Sequence, residues 1–297
     1  MRRLTWIFFA FTLATPAQIT LTPEERAEGW ELLFDGVSAE HWKGLAGDPL
    51  PACCWKVEDG VLKTIPGETQ RDIISITAYE NFEFQWEWRL TPGANSGVKY
   101  LVREPRLQPD WIAMRGRPAR MVLFWACVTG LLAWLASGPL RRRPRKVRRW
   151  LWAGVGVAAV AFTASVLSYS YFTYVAKRLA VGPEYQLIDD EGNADARRGP
   201  LQQTGSLYAL LERKQQLSLP VGEWNHSRVV VSGSRAEHWL NGETVLEYDL
   251  NDPSLRERLA ASKFRAIPDF NAPGPGHLSL QHHSDEVWFR NMKVRKK

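Results

Sequence analysis

The stretch "FEFQWEWRL", residues 82–90, alternates strictly: Phe82, Phe84, Trp86, Trp88 and Leu90 fall on one face, Glu83, Gln85, Glu87 and Arg89 on the other. Side chains of a strand point to opposite faces with a period of two, so this pattern marks a half-buried antiparallel strand. The same period continues in "SRVVVSGSRAEHWLNGETVLEYDL", residues 227–250, which reads as two hairpins in series. Ser232-Gly233-Ser234 makes the first turn and Asn241-Gly242 the second, a pair that accepts the positive φ of a two-residue hairpin loop. "HLSLQHH" and "EVWFRNMKV" add strands near the end of the chain, and "DPSLRERLAASKF" predicts a short helix capped by Asp252. Short strands separated by turns at close intervals predict an all-β sandwich or jelly roll of two antiparallel sheets.

Neither half of the chain holds enough strands for a sandwich of its own. One sandwich is therefore expected, formed by residues 18–108 and 181–297 and interrupted by residues 109–180. The interruption carries two apolar stretches, Met121–Ala136 and Trp150–Ala176, on either side of "RRRPRKVRR", residues 141–149. That pattern predicts an inserted two-helix transmembrane hairpin with its basic loop on the cytoplasmic side. Residues 1–17 have two arginines, an apolar run and small residues before Gln18, the pattern of a signal peptide cut after Ala17, with an uncleaved anchor as the alternative. The expected localisation is the cell envelope, with the sandwich on the extracytoplasmic (periplasmic) side and a lipid bilayer as partner.

Composition narrows the functional classes. With 45% hydrophobic and 24% charged residues the chain is globular rather than disordered. The formal net charge of +6 is concentrated in the seven cations of residues 141–149, so no nucleic acid is expected as a partner. Cys53, Cys54 and Cys127 offer neither a disulfide framework nor metal-ligand spacing. Fourteen tryptophans suit core filling and an interfacial belt, and also the stacking of indole on sugar rings.

"GWELLFDGVSAEHWKG", "WKVEDGVLKTIPG", "DIISITAYENFEFQWEWRLTPGANSGVKYLV", "GPEYQLIDD", "TGSLYALLE", "VGEWNHSRVVVSGSRAEHWLNGETVLEYDL" and "LQHHSDEVWFRNMKVRKK" occur in this order. Together they resemble the 3-keto-disaccharide hydrolase domain family over about residues 29–105 and 181–297. The resemblance implies a concanavalin A-like jelly roll and a substrate class of glycosides oxidised at C3. The departure from it is Pro109 to about Leu179, the apparent hairpin.

Alternation in "PEYQLIDD" sends Tyr185 and Leu187 to the core and Glu184 and Gln186 to the opposite, solvent-facing side. In "HLSLQHH", Leu278 and Leu280 suit the core, leaving His277, Ser279, Gln281 and His283 on the other face. A 3-keto group acidifies the C2 proton, so the implied chemistry is proton abstraction, elimination of the glycosidic oxygen and hydration. It needs a base, a stabiliser of the enolate oxygen and an acid; an ordinary glycosidase would instead need two opposed carboxylates. Glu184 or His283 is the expected base, with Gln186 and Gln281 orienting the sugar and Tyr100, His238 and Trp239 as further substrate-binding candidates. No cofactor is certain. Asp189, Asp190 and His282 are the candidates for a divalent cation. Arg290 is expected in a structural ion pair. The alternatives are a non-catalytic lectin-like carbohydrate-binding module and a membrane-anchored scaffold.

Overall fold

A computed structural model describes residues 18–297, apart from 46, 68–70, 104–127, 131–133, 135–143, 148, 151, 158, 161, 164–179, 266, 268–269 and 273. Thirteen strands are described: β1 Trp30–Phe34, β2 Trp42–Gly44, β3 Trp55–Glu58, β4 Val61–Thr64, β5 Ile73–Tyr79, β6 Phe82–Leu90, β7 Asn95–Val102, β8 Glu184–Ile188, β9 Asn225–Ser232, β10 Arg235–Leu240, β11 Glu243–Asp249, β12 Gly276–Leu280 and β13 Val287–Lys296. Helix α1 spans Pro23–Ala27 and α2 Pro253–Ala261.

The strands form two sheets, and every pairing is antiparallel. The larger runs β11-β10-β9-β6-β13-β4-β3, with β1 also paired to β13; the smaller runs β2-β5-β12-β7-β8. Strands from before and after the interruption interleave in both. β6 lies between β9 and β13, and β7 lies between β12 and β8.

The alternation of β6 is realised in full. Phe82, Phe84, Trp86, Trp88 and Leu90 are all buried, with Phe84 stacked on Trp86 at a centroid distance of 4.9 Å. Tyr185 of β8, in the facing sheet, meets Trp86 edge-on at 5.2 Å. Each such phenylalanine contributes roughly 1.5–3 kcal/mol by leaving water. The hairpin between β10 and β11 turns at Asn241 and Gly242, both with positive φ, 51° and 93°. At α2 the Asp252 carboxylate accepts from Ser254 N at 2.8 Å and Pro253 stands at the first helical position, where its missing N–H costs no bond.

The expected signal peptide, residues 1–17, lies outside the described residues, as does most of the expected membrane hairpin. Its described part consists of short helical pieces between residues 128 and 163. Trp134, Trp150, Trp152, Val157 and Val160 are exposed on them. Among the described residues no helix is long and apolar enough to cross a membrane. The two ends of this interruption leave the sandwich from one place, because Val102 closes β7, Glu184 opens its partner β8, and Tyr100 N donates to Pro183 O at 3.0 Å.

Candidate active site

Tyr185 and Leu187 of β8 belong to the core between the sheets, so Glu184 and Gln186 project from the outer face of the smaller sheet. Register then assembles a row across three strands: Glu184 lies opposite Lys99 of β7, and Lys99 opposite Ser279 of β12. One step along, Gln186 lies opposite Gly97. The glycine makes room for the carboxylate. A Cβ on Gly97 would stand 2.5 Å from Glu184 Oε1 where the carboxylate lies over the strand.

Asp72, just before β5, ties the row together. Its Oδ2 accepts from Lys99 Nζ at 2.8 Å and its Oδ1 from the His282 backbone N–H at 3.1 Å. Gln186, with its amide nitrogen turned to the Ser96 carbonyl and Glu184 Oε1, reaches both at 3.2 Å. Ser279 Oγ, in the same row, is buried without a hydrogen-bond partner among the described residues. A second cation closes the edge: Lys263, after α2, holds its ammonium 4.3 Å from the centroid of the Tyr208 ring. Tyr208 N in turn donates to the Glu184 carbonyl at 3.0 Å, and Tyr208 OH to Asp195 Oδ2 at 2.7 Å.

The electrostatics follow from this packing. Burial raises the pKa of Glu184 above the ordinary carboxylate range; the charges of Lys99, Lys263 and His283 oppose the rise, and Asp72 adds to it. Burial alone would lower Lys99, but the Asp72 and Glu184 carboxylates outweigh it and hold the ammonium above its usual value. The outer face thus carries a carboxyl group with strengthened proton affinity beside two cations. Such an arrangement can take up a proton and stabilise negative charge that forms beside it.

The structure brings together Glu184, Gln186 and the charge of His283, and Gln281 follows directly on β12, its backbone N–H donating to Gly97 O at 2.9 Å. Asp72, Lys99 and Lys263, which sequence reasoning passed over, complete the cluster.

Other candidates stand elsewhere. Tyr100 and His238 are fully buried between the sheets and do not floor a groove: Tyr100 OH bonds His238 Nε2 at 2.7 Å and also Tyr248 OH, and His238 Nδ1 meets the Gly205 carbonyl at 2.9 Å. That enclosure lowers the His238 pKa to about 4, so the ring is neutral. Trp239, next along β10, faces out of the larger sheet, on the opposite side of the sandwich from Glu184, with Arg228 over its ring at 3.7 Å. The cation candidates do not gather. Asp189 accepts from the N–H groups of Gly93, Glu191 and Gly192; Asp190 pairs with Arg213 at 2.6 Å; His282 packs edge-on to Trp55 with Nε2 3.0 Å from Ile65 O. Among the described residues no three His, Cys, Asp or Glu side chains form a metal-binding group. Arg290 pairs with Glu87 at 2.7 Å.

Comparison with known proteins agrees with this fold and places the chain in a family. The family model described as "3-keto-alpha-glucoside-1,2-lyase-like domain" matches residues 29–116 and 160–295, breaking within the interrupting segment. A "3-keto-disaccharide hydrolase" of Bacteroides thetaiotaomicron is 28% identical over 288 residues, covering 91% of this chain and 79% of that protein. The crystal structure of a "putative glycosyl hydrolase" from Parabacteroides distasonis is 27% identical with a TM-score of 0.64, covering 95% of this chain and 100% of that one. A second structure from the same organism, 21% identical with a TM-score of 0.52 over 90% of this chain and 99% of that one, shares the fold. By this kinship the chain is a hydrolase-type enzyme. It belongs to the family of 3-keto-alpha-glucoside-1,2-lyase-like domains.

Proposed function

We propose that the protein cleaves glycosides or disaccharides already oxidised at C3, and that the outer face of the smaller sheet carries the reaction. The observation that supports this most is Glu184, a buried carboxyl with raised proton affinity facing Lys99 and Lys263. The Glu184 carboxylate removes the C2 proton, and the C–H electrons move into the C2–C3 bond as the C3 carbonyl becomes an enolate. When the enolate collapses, the C1–O bond breaks and the departing oxygen takes a proton from His283. Water then gives a proton to the deprotonated His283 and adds through its oxygen to C1 of the enone, C2 regains a proton from Glu184, and the net result is hydrolysis. Gln186 and Gln281 orient the sugar hydroxyls.

Its test compares a 3-keto-glucoside with the unoxidised parent, using the full chain in detergent. The reading requires release of aglycone from the keto substrate alone and loss of release in Glu184→Gln with binding retained. Equal binding of both sugars without turnover would favour the lectin-like alternative. Turnover of the unoxidised parent would point to an ordinary glycosidase.

We further propose that the enzyme is exported and tethered by residues 109–180. The apolar stretches of the sequence and the exposed tryptophans and valines of the helical pieces support this. Since the tether leaves from the β7–β8 pair, the site would lie close to the bilayer surface. Recovery of the protein in a carbonate-washed supernatant instead of the membrane pellet would end that reading.

A further inference from the structure

Two lysines act on Glu184, and they are held in different ways. Lys99 is committed: its ammonium lies 2.8 Å from Asp72 and both side chains are nearly buried. Lys263 has no carboxylate partner among the described residues. Its ammonium lies over two ring faces, 4.3 Å from the Tyr208 centroid and 5.1 Å from that of Phe264. Ring faces attract a cation through their quadrupole while leaving its N–H donors unsaturated.

The cradle is built firmly. Ser262 caps α2, with Oγ donating to Leu259 O at 2.8 Å and accepting from Phe264 N at 3.0 Å. Phe264 stacks on Phe270 at 4.4 Å, which fixes the second ring. The first ring is held at both ends, by the Tyr208 N–H on the Glu184 carbonyl and the hydroxyl on Asp195. The cation is therefore located relative to the strand residue that carries the base.

We propose that Lys263 is a catalytic residue whose ammonium donates to the keto oxygen of the bound sugar as negative charge develops there. This rests on the functional reading above. The division of labour is then clear: the Lys99–Asp72 pair is a fixed part of the floor, while Lys263 keeps donors that no acceptor among the described residues takes and that can pass from water to the oxyanion as it forms. An interaction made in the transition state and not before is the kind that raises kcat.

The groups facing Lys263 are Glu184 of β8, Asp195 and Arg198 of the turn after it, Lys99 of β7, and the Tyr208 ring. Although much of the residue is exposed, burial of the ammonium among these elements lowers its pKa; the two carboxylates oppose the shift, and Lys99 and Arg198 add to it. The cation is the active form, so activity falls as pH rises through that lowered pKa.

The test uses the full chain, a 3-keto-glucoside and two variants, Lys263→Met and Lys263→Arg. Exchange of the C2 proton with deuterated solvent, followed by NMR, reports enolate formation separately from aglycone release. Loss of one such donor elsewhere costs about 10²–10³ in kcat. Lys263→Met is expected to lose that much in both kcat and exchange with KM within about threefold. Lys263→Arg is expected to recover part of kcat and to move the basic limb of the pH profile upward, which a merely structural cation would not do. If Lys263→Met keeps kcat and exchange, or if Lys263→Arg fails to shift the basic limb, the role is overturned while the functional reading stands. Wild-type protein that neither exchanges nor cleaves the keto substrate overturns both.

Discussion

Glu83 and Glu184 are both buried glutamates on sheet faces, and they titrate in opposite directions. Glu83, on the outer face of the larger sheet, is 2% exposed; Arg295 meets it at 2.7 Å, Arg228 at 3.0 Å and Gln85 at 3.1 Å. Burial alone would raise its pKa, but the hydrogen bonds from Arg295 and Gln85 and the two arginine charges bring it below the usual range. Glu184, on the outer face of the smaller sheet, is 8% exposed, its carboxylate has no hydrogen bond among the described residues beyond that of the Gln186 amide, and its pKa is raised. The comparison teaches how to separate structural charge from reactive charge. The larger sheet neutralises its acids on the spot, pairing Glu87 with Arg290 in the same way. The smaller sheet leaves one acid short of partners beside a lysine short of partners.

Exchanging the two acids for amides breaks the comparison most sharply. Glu184→Gln should lower kcat by about 10²–10⁴, the contribution of a positioned base, with a melting temperature at or above wild type. Glu83→Gln should leave kcat within about twofold and destabilise by about 1–3 kcal/mol, because two arginines lose a charged acceptor. An inactive Glu83→Gln that melts normally would contradict the assignment of the two faces.

Gly97 sharpens the same point. A methyl there first meets the Glu184 side chain, at Oε1, Cδ and Cγ, which can swing away where a backbone could not, so Gly97→Ala should fold and yet lose about tenfold or more in kcat by misplacing the carboxylate. Gly276→Ala is the control: its Cβ would land on the Leu101 backbone, which cannot give way, so the loss should appear in melting temperature.

These contrasts show what could be read from the chain. The sandwich was legible because its signal is local: a period of two in β6 and an Asn-Gly turn survive without knowledge of any partner strand. The face of Glu184 and Gln186 was legible for the same reason, since Tyr185 and Leu187 declare the core face; their burial, 8% and 1% exposed where a solvent-facing side was expected, was not. Asp72, Lys99 and Lys263 were not. Isolated lysines resemble solvated ones, and they converge only through the order β5-β12-β7-β8, which the sequence does not state. His238 and Trp239 could have been parted by alternation alone, as neighbours on one strand cannot line one groove. Asp189 and Asp190 stand at the start of "DDEGN", whose composition forms turns, and Asp189 there accepts from Glu191 and Gly192 N–H groups.

The pH dependence separates the two acids by sign. Glu83 has a folded-state pKa below its unfolded value, so its contribution is present above the unfolded pKa and lost as pH falls through the lowered one. Glu184 has the reverse: folding favours its protonated form, so its contribution is present below the unfolded pKa and is lost as pH rises through the raised one. Urea titrations across the acid range should show Glu184→Gln gaining on wild type as pH rises and Glu83→Gln losing. The kcat/KM profile should fall on the acid side through the raised Glu184 pKa, since the base must be ionised. Parallel stability curves for both variants would show that the environments are alike.

The smallest effect is expected at Trp239. It is the residue that indole–sugar stacking would select, yet it lies on the larger sheet under Arg228, with its N–H on Glu237 at 2.9 Å. A site confined to the smaller sheet gives it no part in turnover. Trp239→Ala should therefore keep kcat and KM within about twofold and cost about 0.5–1 kcal/mol through the lost stacking on arginine. A KM raised tenfold by this substitution would mean that sugar contacts the larger sheet as well, and the division between a closed face and a reactive face would have to be redrawn.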